Sequence, residues 1–180
     1  MAEPIQAYIF VDGAYVRERL RDFGVSDRFD PIKPASLVQN HRFGGKQALV
    51  GRVFYYDAPD TQADASQRAD QEEYFSQLRR LPDTHVVLGE VRKGKKREQK
   101  GVDVQLAIDA LKVAVSGVTQ VIALVSGDAD FAPLARAIRE TGPHVLVFAF
   151  SQSAASSLLN EADKVHLWDA VPQDWELKGA

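Results

Sequence analysis

The stretch from Val121 to Phe131 reads VIALVSGDADF, five uninterrupted apolar residues running into Ser126-Gly127 and then into two aspartates two positions apart. An apolar run of this length, closed by a small-residue turn and followed by a helical pattern, predicts a buried parallel strand feeding a βα turn. Open α/β sheets bind their ligands at the carboxyl ends of such strands. Asp128 and Asp130 are thereby expected where a sheet of this kind does its chemistry.

The remaining pattern agrees with an alternating chain. Strands are predicted at Ile5 to Val11, Ala48 to Tyr56, His85 to Val91, Val121 to Val125, His144 to Phe150 and Lys164 to Trp168. Helices are predicted between them at Ala14 to Arg21, Pro34 to His41 (stopped by Gly44-Gly45), Ala63 to Leu81, Gly101 to Ser116, Pro133 to Glu140 and Ala154 to Ala162. In the Gly101 helix, Val104, Ile108, Leu111 and Val115 recur at spacings of four, three and four, which predicts its buried face. Alternation of this kind calls for a mostly parallel central sheet with helices on both faces. With 180 residues, 45% of them hydrophobic, the chain is expected to form one domain with its own core.

Composition narrows the chemistry. Cysteine is absent, which removes disulfides, thiolate metal sites and a cysteine nucleophile, and suits a reducing cytoplasm. The N-terminus has no basic region ahead of its apolar run and reads as a strand rather than a signal peptide, and no apolar run reaches membrane-spanning length. The net charge of −3 conceals a segregation: Arg92 to Lys100 (RKGKKREQK) carries six bases and one acid, leaving −8 on the rest. A basic segment on an acidic protein is expected either to contact a polyanion or to be a solvated loop.

Four aspartates stand at strand ends or helix starts: Asp12, Asp103, Asp128 and Asp130. Any one of them could simply cap a helix, a role worth roughly 0.5–2 kcal/mol. Brought together in one crevice they would repel one another unless a cation intervened. Carboxylate oxygens suit Mg²⁺ or Mn²⁺, ions that work on phosphates by polarising a phosphoryl oxygen and generating hydroxide. The dinucleotide, P-loop and nucleophile-elbow glycine motifs are missing, and His41, His85, His144 and His166 are scattered. A phosphatase using Asp12 as nucleophile would want an acid two residues on, where Ala14 stands.

FVDGAY at 10 to 15, KGVDVQLAIDAL at 100 to 111, VSGDADFAPLARAIRETG at 125 to 142 and the closing SLLNEADKVHLWD together resemble the NYN domain family, in particular its bacterial LabA-like branch. The resemblance spans nearly the whole chain. It implies a Rossmann-like, PIN-like nuclease fold and a metal-dependent ribonuclease, with Asp12, Asp103, Asp128 and Asp130 around Mg²⁺ or Mn²⁺. Arg92, Lys93, Lys95, Lys96, Arg97 and Lys100 would then hold the RNA backbone, and Ser126 would bond an acid or a phosphate. The family's first motif usually continues D-G-x-N, and Tyr15 takes the asparagine's place here. Asp109 also matches, but six residues beyond Asp103 it faces away from it. Two further readings stay open: a non-catalytic module that binds RNA or protein, and a small-molecule phosphohydrolase. Phe23, Phe29 and Phe43 are unplaced relative to the acids, and Phe148, Phe150 and Trp168 suit a core or a homo-oligomer interface equally.

Overall fold

The computed structural model describes residues 4–60, 62–89 and 101–178. Seven strands form one sheet: β1 (Ile5–Asp12), β2 (Arg42–Phe43), β3 (Lys46–Asp57), β4 (Thr84–Leu88), β5 (Val121–Val125), β6 (His144–Phe150) and β7 (Lys164–Trp168). Six helices connect them: α1 (Gly13–Asp22), α2 (Lys33–Asn40), α3 (Ala65–Leu78), α4 (Val102–Ser116), α5 (Ala132–Thr141) and α6 (Ser156–Leu159).

Apart from β2, every pairing is parallel, and the strands lie in the order β4-β3-β1-β5-β6-β7. From β1 the chain winds outward through β3 and β4, then returns by α4 to the other side of β1 and winds outward through β5, β6 and β7. The reversal falls between β1 and β5, and in a doubly wound sheet that is where a crevice opens at the carboxyl ends. Both faces are covered. Val16 and Leu20 of α1, Val38 of α2 and Phe75 and Leu78 of α3 pack on one side, together with Phe29, Phe148 and Trp168. Leu106 and Ala110 of α4, Leu134, Ala135 and Ile138 of α5 and Leu158 of α6 pack on the other. Strands β5 and β6 are buried from end to end apart from His144, as their unbroken apolar runs require.

Several expectations are corrected. Gly44-Gly45 does not stop a helix; both glycines have positive φ, 58° and 80°, and form the two-residue turn of a hairpin joining β2 to β3. Helix α3 begins at Ala65 rather than Ala63 because Asp64 and Gln67 form a capping box, with Asp64 accepting the Gln67 N–H and Gln67 accepting the Asp64 N–H. The last helix shrinks to the single turn of α6, preceded by a 3₁₀ turn at Ser151–Ser153. Strand β4 ends at Leu88, and the basic segment from Arg92 to Lys100 lies outside the described residues. The largest correction concerns α4. Its buried residues are Val102, Leu106, Ala110 and Ala114, so the stripe of Val104, Ile108, Leu111 and Val115 is not the face turned to the sheet. Phe29 and Phe43 are buried, as are Phe148, Phe150 and Trp168, which places all five in the core, while Phe23 is partly exposed against Phe150.

Candidate active site

Asp12 is the last residue of β1 and the N-cap of α1, so one side chain ends a strand and starts a helix. Its Oδ1 accepts the Tyr15 N–H at 3.0 Å, which satisfies one of the free donors at the helix start. Its Oδ2 accepts the Ser126 hydroxyl at 2.9 Å across the β1–β5 boundary. Ser126 in turn accepts the Asp128 N–H at 3.2 Å, so one buried hydroxyl ties the first acid to the turn that carries the third. Of the two roles open to Ser126, the structure shows the bond to an acid; at 2% exposure it is a brace between Asp12 and Asp128.

Asp128 caps a 3₁₀ turn at Ala129–Phe131, its Oδ1 accepting the Asp130 N–H at 2.9 Å, and both side chains reach solvent. Asp103 lies in the first turn of α4. Partial burial, then the charges of Asp128 and Asp130, raise its carboxyl above the usual range. Burial pushes Asp12 up to about 7; the bonds from Tyr15 and Ser126 oppose that shift, and the charges of Asp103 and Asp57 add to it. The four predicted acids thus sense one another at the switch point. No arginine or lysine among the described residues pairs with any of them.

Oxygen donors and uncompensated negative charge suit a hard divalent ion in kind. In spacing they are not gathered: among the described residues no three acidic or histidine side chains stand as a ready ligand set.

Two neighbours, Tyr15 and Asp57, have partners that the sequence did not reveal. Tyr15 turns its hydroxyl to the end of β6, where it accepts the Phe150 N–H at 2.9 Å and meets Ser153 Oγ at 2.8 Å. A side chain at Gly127 would begin 2.6 Å from that hydroxyl and 2.7 Å from the Ser153 carbonyl oxygen, so the glycine in the acid-bearing turn is required by Tyr15 and the loop after β6. Asp57, at the end of β3, is the other. It is buried, and its Oδ2 accepts Arg17 Nη1 at 3.0 Å and the Tyr55 hydroxyl at 2.9 Å. Arg17 also bonds Asp27 through Nε and Nη2. Asp109 accepts the Tyr56 hydroxyl at 3.0 Å and a bond from the Gln105 side chain, which ties it to β3.

A doubly wound sheet with acids at its switch point defines a broad class of α/β proteins, whose ligands bind at the carboxyl ends of the strands. Within that class the chain belongs to the NYN domain family, whose profile matches residues 6–169, and it has that family's PIN-like fold. A crystal structure of a protein of unknown function from Vibrio parahaemolyticus, VPA0982, superposes with a TM-score of 0.68, covering 98% of this chain and 100% of that one at 20% identity, a likeness of fold. The uncharacterized protein MJ0482 of Methanocaldococcus jannaschii is 38% identical over 64 residues, which is 36% of this chain and 27% of that protein. The match therefore spans well under half of that relative. Among the described residues no helix is long and apolar enough to cross a membrane.

Proposed function

We propose that this chain is a metal-dependent endoribonuclease that hydrolyses RNA phosphodiester bonds at the crevice shared by Asp12, Asp103, Asp128 and Asp130. One observation carries the reading: Asp12 is a buried carboxyl, pushed up to about 7, beside further acids and without a cationic side chain among the described residues to neutralise it. A carboxylate kept at such cost where α/β sheets bind ligands is the mark of a functional group. Mg²⁺ or Mn²⁺ held by the four aspartates would polarise a phosphoryl oxygen and make a bound water more acidic.

The chain's own residues do the rest. The Tyr15 N–H and the Ser126 hydroxyl fix both oxygens of Asp12, and Ser126 sets the backbone of Asp128 against it. Asp128 and Asp130 face solvent, where an incoming phosphodiester arrives. Arg92, Lys93, Lys95, Lys96, Arg97 and Lys100 supply six bases in a nine-residue run whose charge suits the RNA backbone, and the cysteine-free composition suits the cytoplasm.

Family membership supports the nuclease reading and the donor chemistry supports the ion. A non-catalytic RNA- or protein-binding module is favoured by one observation, that the acids are not gathered as a ligand set among the described residues. Cleavage of a mixed RNA pool in Mn²⁺, Mg²⁺ or EDTA separates the two. Metal-dependent cutting that falls at least ~100-fold in both Asp12→Asn and Asp128→Asn, with the fold intact, supports the nuclease. Salt-sensitive RNA binding without cutting establishes the module. Replacing Lys95, Lys96 and Arg97 with serine should flatten the salt dependence of RNA binding; an unchanged slope would leave a small-molecule phosphohydrolase as the better reading.

A further inference from the structure

Residue 15 touches both sides of the crevice. Its backbone N–H is donated to Asp12 at the end of β1, a bond that the helix start supplies whatever the side chain. The side chain crosses to the end of β6, where the hydroxyl accepts the Phe150 N–H at 2.9 Å and meets Ser153 Oγ at 2.8 Å. Pairing between β5 and β6 ends two residues earlier, at Val125 and Phe148, because β5 turns away into Ser126 and Gly127. The Phe150 N–H therefore lies past the paired part of β5, and the Tyr15 phenol supplies its acceptor.

The turn that carries Asp128 lies inside this grip. On one side the Ser126 hydroxyl holds Asp12. On the other, the Gly127 carbonyl accepts the Ala155 N–H at 2.9 Å, and the Gly127 backbone lies so close to the Tyr15 hydroxyl and the Ser153 carbonyl that no side chain fits between them. The turn is thus clamped between Asp12 and the loop after β6, and Tyr15 is the residue common to both jaws.

We propose that Tyr15 is a positioning residue of the acid crevice: its hydroxyl pins the loop after β6, which fixes the Ser126–Asp128 turn against Asp12 and so sets how the carboxylates meet a divalent ion. The inference rests on the reading of the crevice as a metal site. Groups that hold metal-binding side chains in place are worth ~10–100-fold in metal affinity. Asparagine, which the first motif usually carries at this position, is too short to reach Phe150 and Ser153 from α1. In this chain it should loosen the crevice rather than restore it.

Two readouts test this without any turnover: Mn²⁺ affinity, and the amide resonances of the metal-free full chain. Tyr15→Phe keeps the ring against Phe150, at 6.3 Å between centroids, and deletes only the hydroxyl; Ser153→Ala deletes its partner. Each should shift the Asp128 and Asp130 amide resonances and weaken Mn²⁺ binding ~10-fold, and Tyr15→Asn should weaken it at least as much. Val38→Ala, a core truncation in α2, should leave both readouts at their wild-type values, which separates positioning from a general loss of stability. Mn²⁺ bound as tightly by Tyr15→Phe as by the wild type, or more tightly by Tyr15→Asn, would overturn the proposal and leave the metal site standing. A wild type that binds no Mn²⁺, or binds it equally well after Asp12→Asn, would overturn the metal reading and this inference with it.

Discussion

Strands β1 and β3 lie side by side, run parallel and each end in a buried aspartate, yet the two carboxylates live in opposite electrical circumstances. Asp57 meets a guanidinium, a phenol and the Ala58 N–H at 2.7 Å, and the guanidinium that serves it is itself held by Asp27 and packed near the rings of Tyr74 and Phe75. Asp12 receives one amide and one hydroxyl, and its nearest charges are other acids. Among the described residues, the fold neutralises one strand end from within and pairs no cationic side chain with the next. Position at the carboxyl edge of a sheet does not by itself set an acid apart; among the described residues, Asp12 differs from Asp57 in having no cationic partner.

The comparison can be broken at four points. Arg17→Met would strand Asp57 as an unpaired buried charge and should cost about 3–5 kcal/mol in urea unfolding. A loss below ~1 kcal/mol would mean the pair is not what holds the strand end. At Asp12 the counter-charge can be supplied instead of removed. Mn²⁺ at a hundredfold excess over its dissociation constant should stabilise the protein by about 2.7 kcal/mol, read as a rise in melting temperature that Asp12→Asn abolishes.

Without metal, Asp12→Asn should itself stabilise, on the order of 2 kcal/mol at pH 8 in EDTA. The sign follows from proton binding. With the folded carboxyl at about 7 and its ordinary value at 3.8, native Asp12 keeps a proton that the unfolded chain has released between those limits. Stability contributed by this group therefore falls as pH rises from about 4 to 7, and variant and wild type should converge near pH 4. Equal pH profiles in urea would show that Asp12 is not held in its raised state. Ser126→Ala, which deletes one donor to Asp12, should cost about 1 kcal/mol at pH 8.

Much of the architecture was readable because buried parallel strands are unbroken apolar runs bounded by Gly, Pro and Asp. Val121–Val125 and His144–Phe150 occur as the pattern predicts, and Lys164–Trp168 occurs as a half-exposed edge strand. Periodicity failed in α4 because the helix carries two apolar stripes, and period alone cannot say which one meets the sheet. The structure turns inward the stripe with two alanines, which permits close approach of the helix to β1 and β3, and leaves Val104, Ile108 and Val115 exposed. The Gly-Gly hairpin was missed because the same dipeptide also suits a helix end. The strand-end acids were visible as a set. What separates Asp57 from Asp12 was not, because Arg17 sits within a run of mixed charges, RERLRD, and only the turn of α1 shows which of them reaches β3. Tyr15 was read as a lost amide; that its hydroxyl would bind the end of β6 depends on a contact 135 residues away.

The Ser126 hydroxyl and the Asp12 carboxylate are 114 residues apart in the chain. Protein synthesis delivers β1 early and β5 late, and the winding from β1 through β3 to β4 can proceed with one edge of β1 still unpaired. Throughout that interval the growing chain holds Asp12 and Asp57 with no crevice between β1 and β5. Closing so long a loop is among the slower events available to a fold of this size. The meeting of Asp12 with the Ser126 turn is thus postponed to the moment the second half of the chain docks, and a polypeptide released before β5 is made carries the first acid without its brace.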